Sequence, residues 1–81
     1  MVDIEEFKEW LKKNTTYSDA VITDTVSRMK RADSILSWNG TDTYLFYLEN
    51  EKQFQTLSVS VKSQLRKSVK LYVSYANAIS K

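Results

Sequence analysis

Four basic residues follow helical spacing near the end of the sequence: Lys62, Arg66 and Lys70 recur at every fourth position, and Lys67 follows Arg66. Side chains four residues apart lie on one face of an α-helix. Ammonium and guanidinium groups in such a row donate charge-assisted hydrogen bonds to phosphate oxygens and displace counterions from a nucleic-acid backbone. The chemistry that this pattern favours is the electrostatic binding of phosphates.

The charge around this row is unevenly distributed. No Asp or Glu follows Glu51, whereas the thirty residues after it contain six cations, namely Lys52, Lys62, Arg66, Lys67, Lys70 and Lys81. Like charges four residues apart on a helix cost about 0.2–0.5 kcal/mol per pair, a cost that an anionic partner would offset. Neutral side chains add possible donors to phosphate, namely Ser60, Ser63, Gln64 and Ser68. A solvated helix face without a partner explains the same pattern equally well, and both interpretations stay open.

A second basic segment contains Arg28, Lys30 and Arg31. These residues form a weaker candidate for contact with DNA. Asp24 stands four residues before Arg28, so a local ion pair on a solvated helix is the favoured explanation there.

Catalysis finds no support in the composition. The sequence contains no His and no Cys, which removes the commonest general base, the commonest zinc ligand and every Ser-His or Cys-His pair. A chain with one glycine, Gly40, does not contain a glycine-rich phosphate loop. Glu5 and Glu9 lie near the start of a predicted helix, where a capping or dipole role suffices. We therefore predict a protein that is not an enzyme, with no catalytic residue, no metal site and no cofactor.

Other features of the sequence bear on where in the cell the protein is found. The start, MVDIEEF, is acidic and has no long apolar run, so it does not have the form of a signal peptide. No stretch approaches the roughly 18 apolar residues that a membrane span needs. We predict a cytoplasmic protein with no membrane contact. The net charge of +2 does not by itself indicate a nucleic-acid binder.

The elements that must position these residues are helices. A chain of 81 residues with no Pro and one Gly predicts a single, mostly helical domain with short loops. Apolar residues with a period near 3.6 indicate four helices, over about 3–13, 18–36, 42–50 and 58–79. The predicted fold class is all-α, a compact four-helix bundle, and the polar connection before the last helix has room for one further turn.

Capping residues set the predicted starts of the first two helices. Asp3 followed by Glu6 has the form of a capping box. Thr16 followed by Asp19 repeats that form, with Ser18 as a rival cap.

The end of the second helix and the starts of the third and fourth helices are predicted from residues of the same kind. Asn39-Gly40 should stop the second helix in a positive-φ conformation. Thr41 or Asp42 then caps the third helix, and Ser58 or Ser60 starts the fourth.

The core should be built from large side chains, because a chain this short buries only roughly 60–65% of the surface that its unfolded form exposes. The apolar faces predict an aromatic core formed by Phe7, Trp10, Tyr44, Tyr72 and Tyr75. Trp38 covers the core or stacks on a ligand, and the first role is favoured. Val21 and Ile79 also fall on the predicted inward faces.

The order of these parts resembles a known family. A first helix ending in FKEWLKK leads to a Thr/Ser-rich cap that opens TYSDAVITDTVSRMKRADSIL, and a short helix, TYLFYLENE, leads to LSVSVKSQLRKSVKLYVSY. The chain is similar over nearly its whole length to the SAM-like, core-binding amino-terminal domain of phage integrases, the tyrosine recombinases. Ser58 fits the usual start of the last helix in that family, and Leu65, Arg66 and Tyr72 fit its basic and aromatic end.

The resemblance implies a small orthogonal four-helix domain that clamps double-stranded DNA during recombination. It also implies that the Arg, His and Tyr catalytic set belongs to a separate domain, which would follow Lys81 in a longer protein. The last helix would then contact the phosphate backbone.

The sequence thus leads to two hypotheses. The first is a non-catalytic, integrase-like DNA-binding domain that uses Lys62, Arg66, Lys67 and Lys70, with the second basic segment as a possible additional strip. Four to six phosphate contacts predict a slope of log affinity against log salt of about −4 to −5, with little base specificity. The alternative is a protein-interaction module whose last helix, including Val73, docks on an acidic partner or on a neighbouring domain.

Overall fold

The structure, a computed structural model, describes residues 3–79 and contains only helices and their connections in that range. The helices are α1 (Ile4–Asn14), α2 (Asp19–Ile35), α3 (Tyr44–Glu49), α4 (Lys52–Gln55) and α5 (Val59–Ile79). The prediction of an all-α bundle is confirmed. The single turn α4 occupies the polar connection, so the four predicted helices correspond to α1, α2, α3 and α5.

The start of α1 follows the predicted capping box. Asp3 is the N-cap, and its Oδ1 accepts a hydrogen bond of 3.1 Å from the Glu6 backbone N–H. At the other end, the Thr15 hydroxyl donates to the Leu11 carbonyl at 2.7 Å. Both ends of α1 are therefore satisfied by residues within one turn.

The start of α2 shows which of two candidate caps acts. Ser18 is the N-cap, and its Oγ accepts from the Val21 N–H at 3.3 Å. The prediction that Thr16 caps this helix is wrong, and the rival prediction is confirmed. Ser18 has the extended backbone (φ −67°, ψ 163°) that an N-cap requires.

The end of α2 lies at the predicted position, but the predicted stop signal does not form it. Leu36 is its C-cap, so Asn39-Gly40 does not stop the helix. Asp33 Oδ1 instead accepts from the Trp38 N–H at 2.8 Å, which ties the exit of the helix to its own last turn. Gly40 does have a positive φ of 76°, as predicted, but it turns the loop toward α3.

The starts of α3 and α5 differ in how they are capped. Thr43 precedes α3 and makes no side-chain cap bond, so the prediction of Thr41 or Asp42 as the cap is wrong. Ser58 caps α5 as predicted, because its Oγ accepts from the Val61 N–H at 3.2 Å. The longest helix therefore begins at a well-defined residue.

Aromatic rings connect the helices. The Tyr72 ring lies 4.9 Å from the rings of both Phe7 and Trp38 and 5.2 Å from that of Tyr75, measured between centroids. Trp38 also lies 5.0 Å from the Tyr44 ring. The contacts made by Phe7 and Trp38 are edge to face, a geometry that adds about 0.5–1.5 kcal/mol each beyond the burial of their area. The interpretation of Trp38 as a cover on the core is confirmed.

Three side chains do not lie where the helical pattern placed them. Val21 is 41% exposed and Ile79 is 62% exposed, so neither belongs to the core. Ser68, interpreted as a donor for phosphate, is only 2% exposed and packs between α5 and the rest of the bundle. The aromatic contacts of α5 end at Tyr75, which leaves its last turn outside the core.

The dimensions of the bundle give α5 a special place. A helix of 21 residues is about 31 Å long, and the longest dimension of the molecule is 34 Å. Helix α5 therefore extends across nearly the whole molecule and packs chiefly against α2. Its outward face forms a continuous edge of the protein.

We predict that Ser18→Ala lowers the free energy of unfolding by about 1 kcal/mol, because the Val21 N–H loses its acceptor. Thr16→Ala, which removes a hydroxyl two residues away, is the matched control and should change stability by less than about 0.5 kcal/mol. Urea denaturation followed by circular dichroism measures both. A larger loss in the Thr16 variant would contradict the assignment of the cap.

We also predict that stability falls in alkaline solution. Burial, together with the charge of Asp33, raises the pKa of Tyr44 above its ordinary value of 10.0, and burial likewise raises the pKa of Tyr72 and Tyr75. The folded protein therefore holds these protons more tightly than the unfolded chain does. This contribution to stability is complete below about pH 10 and is lost as the pH rises above it.

Tyr44→Phe tests the largest of these effects. The Tyr44 hydroxyl donates to the Leu36 carbonyl at 2.5 Å, so its removal should cost about 0.5–1.5 kcal/mol at pH 7. The decline in stability above pH 10 should be shallower in this variant. Tyr47→Phe, which removes a hydroxyl from an exposed ring, controls for the loss at neutral pH. An unchanged alkaline decline in Tyr44→Phe would show that this phenol does not cause it.

Candidate nucleic-acid interface

The outward face of α5 carries the four predicted basic residues. Its opposite face is formed by Tyr72 and Tyr75, which are buried. At 100° per residue, the four cations fall within about 140° of arc on the side away from these residues. We call this surface, formed by Lys62, Arg66, Lys67 and Lys70, the basic strip.

Arg66 differs from the other members of the basic strip because it has a partner. Its Nε donates to Oε1 of Glu49 on α3, and its guanidinium lies 5.6 Å from the centroid of the Phe54 ring. The two charged side chains are 39% and 36% exposed. An ion pair at this exposure contributes at most about 1 kcal/mol, so a phosphate could displace Glu49 at modest cost.

Lys67 lies on the other flank of the basic strip, beside the connection between α1 and α2. Its ammonium group lies 5.9 Å from the centroid of the Tyr17 ring. Tyr17 also borders an open depression formed by residues 13–17. This contact holds the charge over an aromatic face and leaves the ammonium group exposed to solvent.

Lys62 and Lys70 remain free of carboxylates. Among residues 3–79, the ion pairs within 4.0 Å are Lys12 with Glu9 and Arg66 with Glu49. Lys62 and Lys70 are eight residues apart, which is about 12 Å along the helix axis. That separation matches the axial length of three or four nucleotides in one strand of a duplex.

The second basic segment does not form one strip. Arg28 and Lys30 are two residues apart on α2, so they point in directions about 160° apart around the helix. Arg31 is exposed and lies on the same side as Arg28. The expected local ion pair is not seen in the described part of the chain, because Asp24 and Arg28 do not approach within 4.0 Å.

The neutral donors divide into two groups. Ser60, Ser63 and Gln64 are exposed near the basic strip, as expected. Ser68 is buried and cannot reach a bound phosphate. Lys81, counted among the cations of the sequence, lies outside the described residues.

Two exposed aromatic residues were missed in the sequence. Phe46 is 65% exposed and Tyr47 is 52% exposed on the short helix α3. A signal for them was present, because Tyr44, Leu45 and Leu48 already fill the inward positions of that helix. The Glu49–Arg66 pair was also missed, and no local signal reveals it, since its members are seventeen residues apart.

Residues 3–79 lack the features of two other kinds of site, a metal site and a membrane span. Within that range, no group of three or more acidic, His or Cys side chains is arranged to hold a metal ion. None of the helices in this range is both long enough and apolar enough to cross a membrane.

Comparison with known proteins gives no relative for this chain. It matches no protein-family model, no curated protein and no solved structure.

Proposed function

We propose that this protein is a non-catalytic DNA-binding module that contacts the phosphate backbone through the basic strip of α5. The single observation that supports this most is that Lys62, Lys67 and Lys70 lie on one outward helix face with no carboxylate of residues 3–79 within 4.0 Å. The resemblance to the core-binding domain of phage integrases agrees with this role. In that case the partner is double-stranded DNA, and a recombinase catalytic domain belongs to the same polypeptide.

The placement of α5 supports a ligand that is long in one dimension. The helix extends across nearly the full 34 Å of the molecule, and its cations follow its axis. A duplex or a strand laid along this edge meets several of them at once. Since the contacts go to phosphates and not to base edges, binding should depend strongly on salt and weakly on sequence.

The pairing of Arg66 with Glu49 lowers the number of phosphate contacts that we expect, and with it the salt dependence of binding. Only Lys62, Lys67 and Lys70 are available without breaking an ion pair, and the phosphate-facing role of Arg66 requires the displacement of Glu49. Three to four contacts predict a slope of log affinity against log salt of about −3 to −4, shallower than the sequence suggested.

A protein partner is less well supported. Val73, which would provide the apolar part of a docking surface on α5, is half-buried and packs against the core. What remains exposed on this face is mainly charged and polar, and interface cores are depleted in charge.

We predict that Lys62→Gln combined with Lys70→Gln weakens binding to random-sequence duplex DNA and makes the salt slope shallower by about 2, since each phosphate contact contributes about 0.9. Lys8→Gln combined with Lys12→Gln changes the net charge equally on α1 and should leave the slope unchanged. Fluorescence anisotropy across about 25 to 200 mM salt measures both. Equal loss in the two variants would show that net charge alone drives binding, and absence of any binding at the lowest salt would favour a protein partner.

We predict that Glu49→Gln has the opposite effect. It releases Arg66 from its ion pair and should raise the affinity for duplex DNA, with a salt slope steeper by about 1. Glu5→Gln removes the same charge from the exposed start of α1 and is the matched control. The proposed competition between Glu49 and phosphate is rejected if both variants bind more tightly by the same factor.

A further inference from the structure

The short helix α3 presents an aromatic surface that the fold does not use. Phe46 points away from the buried face of the helix, which is formed by Tyr44 and Leu48. The rings of Phe46 and Tyr47 meet edge to face, with centroids 5.6 Å apart and planes at 78°. This contact steadies the Phe46 ring, most of whose surface stays open to solvent. We call the two residues the aromatic pair.

The size of the aromatic pair limits what can cover it. With exposures of 65% and 52%, the two rings offer together about 200–250 Å² of surface. A stable protein interface buries about 800 Å² on each partner, more than three times this area. The aromatic pair is therefore too small for a stable second copy or a large protein partner, but it matches the area of one or two flat rings.

The aromatic pair lies next to the basic strip. Phe46 and Glu49 are three residues apart on α3, so their side chains are neighbours on one face of the helix. Glu49 in turn binds Arg66 of the basic strip. The exposed Phe46 ring therefore lies on the same side of α3 as the carboxylate that binds the Arg66 guanidinium.

Phosphate-binding cations beside an exposed aromatic face are the combination that binds single-stranded nucleic acids. The charges hold the backbone, and an aromatic ring stacks on a base that is free of its partner. Bases within a duplex already stack on each other and cannot take this position. The surface thus suits an unpaired strand better than an intact duplex.

We propose that Phe46 stacks on an unpaired base of a DNA strand whose phosphates lie on the basic strip, so that the protein prefers single-stranded DNA, or a junction with an unpaired base, to a plain duplex. This inference rests on the proposed DNA-binding function and specifies the form of DNA that is bound. Tyr47 acts as a positioning residue, because its ring packs against that of Phe46.

The test compares three labelled ligands of equal length at low salt: a thymidine oligonucleotide, a duplex, and an abasic strand that keeps the phosphates but lacks the bases. The unmodified protein should bind the thymidine strand most tightly. Phe46→Ala should weaken that binding by about 5- to 150-fold, the range that corresponds to the loss of one stacked base. Its affinity for the duplex and for the abasic strand should not change.

Two further variants sharpen this test. Phe46→Trp keeps a stacking surface, so it should retain binding to the thymidine strand, and the fluorescence of its introduced indole should be quenched on binding. Val21→Ala trims another exposed apolar side chain, on α2, and should bind all three ligands as the unmodified protein does. Circular dichroism checks that each variant is folded.

The outcomes separate this inference from the proposed function. Binding to the duplex and to the thymidine strand that is equally tight and unaffected by Phe46→Ala overturns the stacking role and leaves the DNA-binding function intact. Failure to bind any of the three ligands overturns both. Concentration-dependent self-association that Phe46→Ala abolishes would identify the aromatic pair as a protein contact and also overturn the inference.

Discussion

The position of the Tyr72 ring is the constraint on which the rest of this structure depends. It contacts Phe7 of α1 and Trp38 of the loop after α2, and it belongs to α5. Its hydroxyl also accepts a hydrogen bond of 2.9 Å from the backbone N–H of Asp3, at the start of α1. One side chain thus joins segments separated by up to 69 positions.

This constraint fixes the rotation of α5 about its own axis. With Tyr72 and Tyr75 held among the rings of Phe7, Trp10 and Trp38, the helix cannot turn without losing several aromatic contacts. The cations on the opposite side are therefore kept outward. In this way the aromatic packing in the core determines which direction the basic strip faces, although the two are not in contact.

The charged surface is not uniform along α5. Arg66 is balanced by Glu49 and lies against Phe54, whereas Lys67 lies over Tyr17, and Lys62 and Lys70 have no carboxylate of the described residues nearby. The pair with Glu49 also connects α5 to α3, the helix that carries the exposed Phe46. The Glu49–Arg66 pair thus lowers the net charge of the basic strip and links the strip to the helix that carries Phe46. For this reason both charge and stacking enter the proposed binding of DNA.

Local patterns in the sequence were sufficient for the helices and most of their starts. The caps at Asp3, Ser18 and Ser58 act within three residues, and helical periodicity is a property of adjacent turns, so both can be recognised without knowledge of the fold. The same reasoning recovered the basic strip, because its members belong to one helix.

Contacts between distant segments were decided by the tertiary structure alone. The helix wheel placed Ile79 and Val21 inward, but whether a helix face is covered depends on the reach of its neighbours, which the wheel does not describe. The burial of Ser68 and the pairing of Glu49 with Arg66 likewise require knowing which segments meet. The sequence by itself determined which side chains share a helix face, because backbone hydrogen bonding sets that locally. Which faces are buried, paired or left open was decided only when the helices packed together.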